Sequence, residues 1–403
     1  MKRTLAVAAL ALLLSTTAHA ACSFHNEVPL KSLTAAFDAW KAVAASMTEC
    51  GNIQTELDQD FRTKQPAAFA ANPSLYQLGG VSNGTLVPLL NAGTIRPLDA
   101  LVAKYGQHLQ PNQLIRIDGK IMAIAMDVND QHLMVRTDIL AELNIPTPKT
   151  WDDVLAAAEK IKASGKVATP IGATMKPGFD LSQDFLNMFL GFGGTPTRPD
   201  NTPSLNTEAG LKTLAMLKKL TAYMDPEYLT SESTFVQKQF QQGKIAMSNL
   251  WATRAAALDD PKESQVVGKI GLVAAPAAVA GGKPATTLWW DGIVIARNIT
   301  DDQADAAFRV AMAGLDEQTV KAAPGAAVWL IKGYTPGKYA LGAIASANGG
   351  APPYPSTTAM GLISTVIGEN AADFLTGKKT AEATLAAMEA AYLTRAKEQG
   401  LVK

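Results

Sequence analysis

Cysteine is nearly missing from this chain: 403 residues hold two, Cys22 and Cys50. Two thiols cannot build a zinc cluster or an iron–sulfur centre. The four histidines include no pair at helical spacing, so the chain also lacks the ligands of a metal hydrolase. Neither sign of charge is in surplus, with 36 basic and 36 acidic residues, so nothing attracts nucleic acid or an anionic membrane surface. Beyond the first twenty residues no apolar run reaches the roughly 18–20 needed to span a bilayer. Internal repeats and low-complexity segments are absent. With 47% hydrophobic residues the chain is an ordinary globular one, and its length suggests two lobes rather than one core.

Residues 1–20 read as a secretory signal. Lys2 and Arg3 give the positive start, 5–14 the apolar run, and Ala18-His19-Ala20 the small-x-small cleavage site. Cleavage after Ala20 leaves Cys22 second in the mature chain, and His19 does not suit a lipid-attachment site. The expectation is a periplasmic protein without a lipid anchor. Losing Lys2 and Arg3 from a balanced chain leaves a net charge of −2. In an oxidising compartment the two cysteines are expected to pair. A short strand over 23–28, a helix over 30–48 and a strand over 52–57 make a βαβ unit. Both cysteines then sit at the N-terminal ends of neighbouring parallel strands, about 5 Å apart, a distance that a disulfide spans. Such a bond lies at the end of the sheet away from any ligand.

Strand, glycine-rich turn and helix recur along the chain, which indicates α/β architecture with open sheets. A strand over 75–78, a loop over 79–84 and a helix from about 86 follow the first unit. Ligands in such sheets sit beyond the carboxyl ends of strands. That draws attention to the loops over 24–27, with Asn26, and over 79–83, with Ser82 and Asn83. Two extended runs, 121–125 and 131–135, have no helix between them, so Asp127 to Asn129 reads as a crossing between lobes. Further strands are expected over 167–173, 245–248 and 270–274. Capping boxes mark helices at Thr150/Asp153 and Thr300/Gln303.

The stretch Thr286-Thr287-Leu288-Trp289-Trp290-Asp291-Gly292-Ile293-Val294-Ile295-Ala296 is the most informative in the chain. Alternate strand residues face opposite ways, so both indoles cannot enter one core. An indole beside a carboxylate suits a sugar, the flat face taking C–H groups and the carboxylate taking hydroxyls. Packing of both indoles between a strand and its covering helix is the competing reading. Trp251, among polar Asn249, Thr253 and Arg254, is a second candidate wall. Asp127 and Asp291 fit ligand contact or a turn cap; Ser82 and Asn83 fit ligand contact or a helix cap; Arg254 fits a hydroxyl or anion clamp or a solvated charge. Lys176, Phe179 and Asp180 follow a strand, and Phe179 fits either a stacking face or the core.

Four segments in order carry a resemblance: Asp118-Gly119-Lys120-Ile121 with its apolar run, Arg136-Thr137-Asp138-Ile139-Leu140, Pro148-Lys149-Thr150-Trp151-Asp152-Asp153, and Phe240-Gln241-Gln242-Gly243-Lys244 with Trp251 beyond. In these the chain resembles the periplasmic solute-binding proteins of carbohydrate ABC importers, the family that includes maltose-binding protein. The resemblance implies the type II two-lobed α/β fold with three hinge crossings, near 127–129, 288–290 and 328–331. Lobe 1 would comprise 21–127 plus 290–328, and lobe 2 128–289 plus 329–403. It implies a carbohydrate ligand in the interlobe cleft, the membrane permease of an ABC importer as partner, no cofactor, no chemistry, and a monomer. Trp251 matches a sugar-stacking aromatic, Phe179 falls near another, and Tyr354 near a further cleft-facing stretch. The chain departs from the family in its short first strand, which lacks the usual tryptophan-rich run. A polyol or other small hydroxylated solute is the alternative ligand.

One motif points to a different class. Gly80-Val81-Ser82-Asn83-Gly84 fits the nucleophile elbow G-x-S-x-G of esterases. Such an enzyme needs a histidine late in the chain, and the last here is His132. A carbohydrate-active enzyme would need paired carboxylates, for which Asp127 and Asp291 are the available pair.

Overall fold

The computed structural model describes residues 22–403, so the secretory signal expected over 1–20 lies outside the described residues. The strands run in chain order as β1 (Asn26–Thr34), β2 (Gly51–Leu57), β3 (Leu78–Ser82), β4 (Leu114–Ile117), β5 (Lys120–Asn129), β6 (Gln131–Arg136), β7 (Ile171–Gly172), β8 (Met247–Trp251), β9 (Ile270–Val273), β10 (Trp289–Ile295) and β11 (Val328–Trp329). They form two sheets. One has the order β11-β5-β10-β3-β1-β2, with β4 also on β5; the other is β7-β8-β6-β9. β1 is parallel to β2 and β3, while β10 runs antiparallel between β3 and β5.

Alternation along β10 explains why the first sheet is covered on both faces. Ile293 and Ile295 enter a core with Trp40 and Phe308, whereas Val294 and Ala296 enter another with Phe69 and Leu86. In the second sheet Leu133 and Val135 of β6 face the largest core, and Met134 faces a smaller one with Phe240 and Leu250. The chain passes directly from β5 into β6, with Asp130 alone between the sheets. It returns through 274–288 into β10. After β11 it leaves again for the helices Thr358–Leu375 and Ala381–Glu398, which pack on the large core. Among the described residues no helix is long and apolar enough to cross a membrane.

Several expected boundaries move. The first strand extends to Thr34 and its helix begins only at Asp38. Pro29 looks like a terminator but lies inside β1. The pairing with β2 shifts register between Asn26 and Leu30, where a missing N–H costs no ladder bond. The strand expected at 75–78 is instead β3, and the loop expected at 79–84 supplies its residues. Its glycines mark a close approach: a Cβ on Gly80 would lie 2.8 Å from the Trp40 ring. The strand over 245–248 slides to Met247–Trp251, and that over 167–173 shrinks to two residues. The capping boxes at Thr150/Asp153 and Thr300/Gln303 are both present.

Cys22 and Cys50 are bonded, with Cα atoms 5.1 Å apart. The bond ties the N-terminal ends of β1 and β2, opposite the ends that face the second sheet. Closing a loop with separation 28 constrains the unfolded chain. The double variant Cys22→Ala/Cys50→Ala should lose about 3 kcal/mol in urea denaturation. Its ligand affinity should match that of the parent.

Candidate functional site

The two sheets face each other across a cleft with two joined compartments. The first, about 680 Å³, is polar. From the first sheet it receives Phe37 after β1, Asp60 and Arg62 at the start of the helix Phe61–Ala70, Ser82 at the end of β3, and Asp291 of β10. All but Asp291, which lies near the start of the antiparallel β10, are at the carboxyl ends of β1, β2 and β3, where an open α/β sheet leaves loops free. From the other side come Phe179 and Asp180, opening the helix Phe179–Gly191, and Trp251 and Arg254, closing β8 and the turn after it. The second compartment, about 920 Å³, lies between the helices Asn83–Asn91 and Thr358–Leu375, with Tyr354 in its wall. Arg62, Phe179 and Trp289 line both and mark their junction. A separate void of about 10 Å³ inside the large core has room for one water at most and takes no part.

Aromatic rings form the junction. Trp289 meets Tyr354 at 4.0 Å between ring centroids and meets Trp251 and Phe179 edge-on at 5.8 Å each. Phe179 lies nearly parallel to Trp251. Arg62 reaches over from the opposite sheet, its guanidinium carbon 4.0 Å from the Phe179 centroid, a cation–π contact between the two halves. Asn91 Nδ2 donates to Thr358 Oγ1 at 2.7 Å, a second direct contact across the cleft.

The floor carries unusual carboxyls. The Asp291 backbone N–H donates to Asp127 Oδ1 at 3.1 Å, and both carboxyl groups are held well above the ordinary range, chiefly by burial. The charge of Asp291 adds to the upward push on Asp127, while nearby Arg62 draws Asp291 back down. Burial likewise raises Asp180 to about 6, opposed first by Arg62. Surrounding protein lowers the Arg62 guanidinium, against the pull of Asp180, Asp291 and Asp60, yet its side chain stays open to solvent in the cleft. Arg254 is treated alike, opposed by Glu232, Asp38 and Asp180, and donates to Gln237 at 3.1 Å.

Buried carboxyls farther back make stability depend on pH. Burial raises Asp184 to about 8 and Asp130 to about 7, from 3.8 when unfolded. Between those limits the folded state holds protons that the unfolded chain has released, so stability falls as pH rises through that window. After discounting for relaxation around the charges and for the opposite contribution of His132, which burial lowers to about 4, the protein should be about 2 kcal/mol more stable at pH 5.5 than at pH 8.5. Equal urea midpoints at the two pH values would show that these carboxyls are solvated.

The sequence candidates separate by position. Ser82, Phe179, Trp251, Arg254, Trp289 and Asp291 line the first compartment, and Tyr354 the second. Four others do not reach the space. Asn26 lies at the disulfide end of β1, its Nδ2 donating to Val28 O and Asn52 O. Asn83 accepts from the Trp290 N–H at 2.8 Å and donates to Leu288 O, so it anchors the start of β10. Trp290 points to the opposite face from Trp289 and packs against the core with Val81 and Leu86. Asp127 is fully buried beside Asp291, its cross-strand neighbour. Ser82, the serine of the G-x-S-x-G stretch, is a helix cap: its N–H donates to Thr85 Oγ1 at 2.8 Å. Among the described residues no histidine lines either compartment, and no group of side chains is arranged to hold a metal. Arg62 and Glu232 are site residues that the sequence reading passed over. The signal for Arg62 was its place in the first turn of the helix that follows the carboxyl end of β2.

A family model described as bacterial extracellular solute-binding protein matches residues 32–311. A probable ABC transporter-binding protein of Deinococcus radiodurans is 28% identical over 262 residues, which is 62% of this chain and 61% of that protein. A probable amino-acid ABC transporter periplasmic-binding protein of Sinorhizobium fredii is 31% identical over 139 residues, 34% of this chain and 31% of that one. The chain thus aligns with less than two thirds of either relative. In fold it is similar to a solute-binding protein of Agrobacterium radiobacter in complex with ribitol, with TM-score 0.79 and 20% identity over 92% of this chain and 100% of that one. It is also similar to a maltose-bound protein of T. maritima, with TM-score 0.80 and 17% identity over 91% and 99%. These structures share the two-lobed α/β architecture. With most of its length matched by the family model, the chain belongs to the bacterial extracellular solute-binding proteins.

Proposed function

We propose that this protein is a periplasmic receptor that captures a sugar in the interlobe cleft and delivers it to the membrane permease of an ABC importer. The observation that carries the reading is the junction of Trp251, Trp289 and Phe179 beside the polar floor of Asp291, Asp180 and Arg62. Flat apolar faces next to charged hydrogen-bonding groups match the two-sided chemistry of a pyranose or polyol. Each compartment lies within or near the range of about 300–1,000 Å³ typical of a small-molecule site, and they share a wall. That arrangement favours an oligosaccharide of two or more rings over a single one. The second reading, a polyol receptor, draws on similar folds that hold ribitol and D-mannitol.

In this reading the lobes 21–127 plus 290–328 and 128–289 plus 329–403 close by hinge motion at the three crossings, and the protein acts as a monomer. The cleft binds without reacting. Asp127 is the cross-strand neighbour of Asp291 in one sheet rather than lying across a substrate from it, which does not suit an acid/base pair flanking a glycosidic bond. A thermal-shift screen over mono-, di- and trisaccharides, sugar acids and polyols tests the proposal. At least one should raise the melting temperature in a concentration-dependent way, with the compound recovered intact after long incubation. No shift across the whole panel would sink the sugar reading; released product would sink the non-enzymatic one.

A further inference from the structure

Trp289 does not stand in the cleft wall by packing alone. Its indole Nε1–H donates to Thr287 Oγ1 at 3.0 Å, and that hydroxyl donates to Asn187 Oδ1 at 3.0 Å. Asn187 Nδ2 donates to Gln131 Oε1 at 2.7 Å, and Gln131 Nε2 donates to Thr174 Oγ1 at 3.3 Å. Thr174 Oγ1 finally donates to Asp184 Oδ2 at 2.8 Å. All six residues are buried.

The direction of this chain is fixed by chemistry. An indole N–H can only donate, so Thr287 must accept from it and spend its single proton on Asn187. That sets the amide of Asn187 with oxygen toward Thr287 and nitrogen toward Gln131. The same logic sets Gln131 and Thr174, and Asp184 ends the chain as an acceptor. Every donor points the same way, so each bond polarises the next. The members also come from separate elements. Gln131 begins β6 just past one crossing, Thr287 precedes β10 at another, and Asn187 and Asp184 lie on the helix Phe179–Gly191.

We propose that this relay sets the orientation of the Trp289 ring, with Asn187 and Gln131 as positioning residues for the wall between the two compartments. Its consequence for ligand capture rests on the sugar-receptor reading; the orientation itself does not. Removing any inner member leaves a buried donor or acceptor unpaired and frees the indole to turn away from Tyr354 and Trp251.

The test needs no ligand, so its failure is separate from any failure of the sugar reading. The ¹⁵N-labelled protein is followed at its indole N–H resonances, with that of Trp289 assigned by its loss in Trp289→Phe. Asn187→Leu and Asp184→Leu should speed hydrogen exchange at the Trp289 indole at least tenfold and move its resonance, while the other indoles stay in place. Asp184→Asn, which keeps an acceptor for Thr174, should restore exchange to within about twofold of the parent. A merely structural role for the helix would not separate those two variants. If the leucine variants fail to fold, Thr287→Val against Thr287→Ser decides, because serine alone keeps the hydroxyl. An unchanged Trp289 resonance in Asn187→Leu or Thr287→Val would overturn the proposal, as would equal effects of Asp184→Leu and Asp184→Asn.

Discussion

Trp251→Ala should weaken binding of the most responsive sugar in the thermal-shift panel by about 100-fold, and Trp290→Ala by less than about threefold. The difference follows from the side of the strand on which each indole lies. Trp251 ends β8 on the face of the large core and emerges into the polar compartment against Phe179. Its truncation removes a stacking face and opens the compartment to water, an effect of hot-spot size, roughly 2–3 kcal/mol. That energy corresponds to about a hundredfold in Kd. Trp290 is one residue from Trp289 but is half-buried on the opposite face, packed against the core with Val81 and Leu86, so its loss lowers stability and leaves the cleft intact. Isothermal titration on both variants, with denaturation curves alongside, separates the two effects. Equal losses of affinity would mean that Trp251 acts through the fold rather than through contact.

How much of this was readable beforehand depends on the range of the interaction responsible. Period-2 alternation over 289–296 showed that the two indoles part company, but not which one faces the cleft. That is decided by how β10 pairs with β3 and β5, strands more than 150 residues away. The disulfide was legible because a local βαβ unit brings Cys22 and Cys50 together without reference to the rest of the chain. Caps at Thr150 and Thr300 were legible for the same reason. Asn26 was misplaced because β1 runs on past Pro29, which put that residue at the wrong end of its strand. Ser82 reached the cleft although its glycine neighbours were read as loop, since a strand end and a loop occupy nearly the same place there. The role of Arg62 was only hinted at by its place after a strand end, and the Trp289 relay was out of reach of sequence reading. The first depends on a helix of one half leaning over a ring of the other, the second on six side chains drawn from four separate segments.

Gly292→Val should cost about 4 kcal/mol or more, enough to unfold a marginally stable domain. In the sequence, Asp291-Gly292 reads as a bendable spot, yet Gly292 sits inside β10 between two paired strands. The pairing with β5 shifts register between Asp291 and Gly292, and the backbones close on each other at that step. A Cβ on Gly292 would lie 2.3 Å from Ile124 O and 2.8 Å from Ala125 Cα. Both are main-chain atoms in a central strand, so no rotamer change can clear the way. Valine adds two methyl groups to that overlap and would force β10 off β5 at the crossing that carries Asp291 and Trp289. Gly119→Ala gives the contrast. Gly119 has φ +77° with nothing within 4 Å, so its cost is one of backbone conformation alone, about 1 kcal/mol. Urea denaturation of the two variants should therefore differ by about 3 kcal/mol. If Gly292→Val is no worse than Gly119→Ala, β10 and β5 are free to separate at this step.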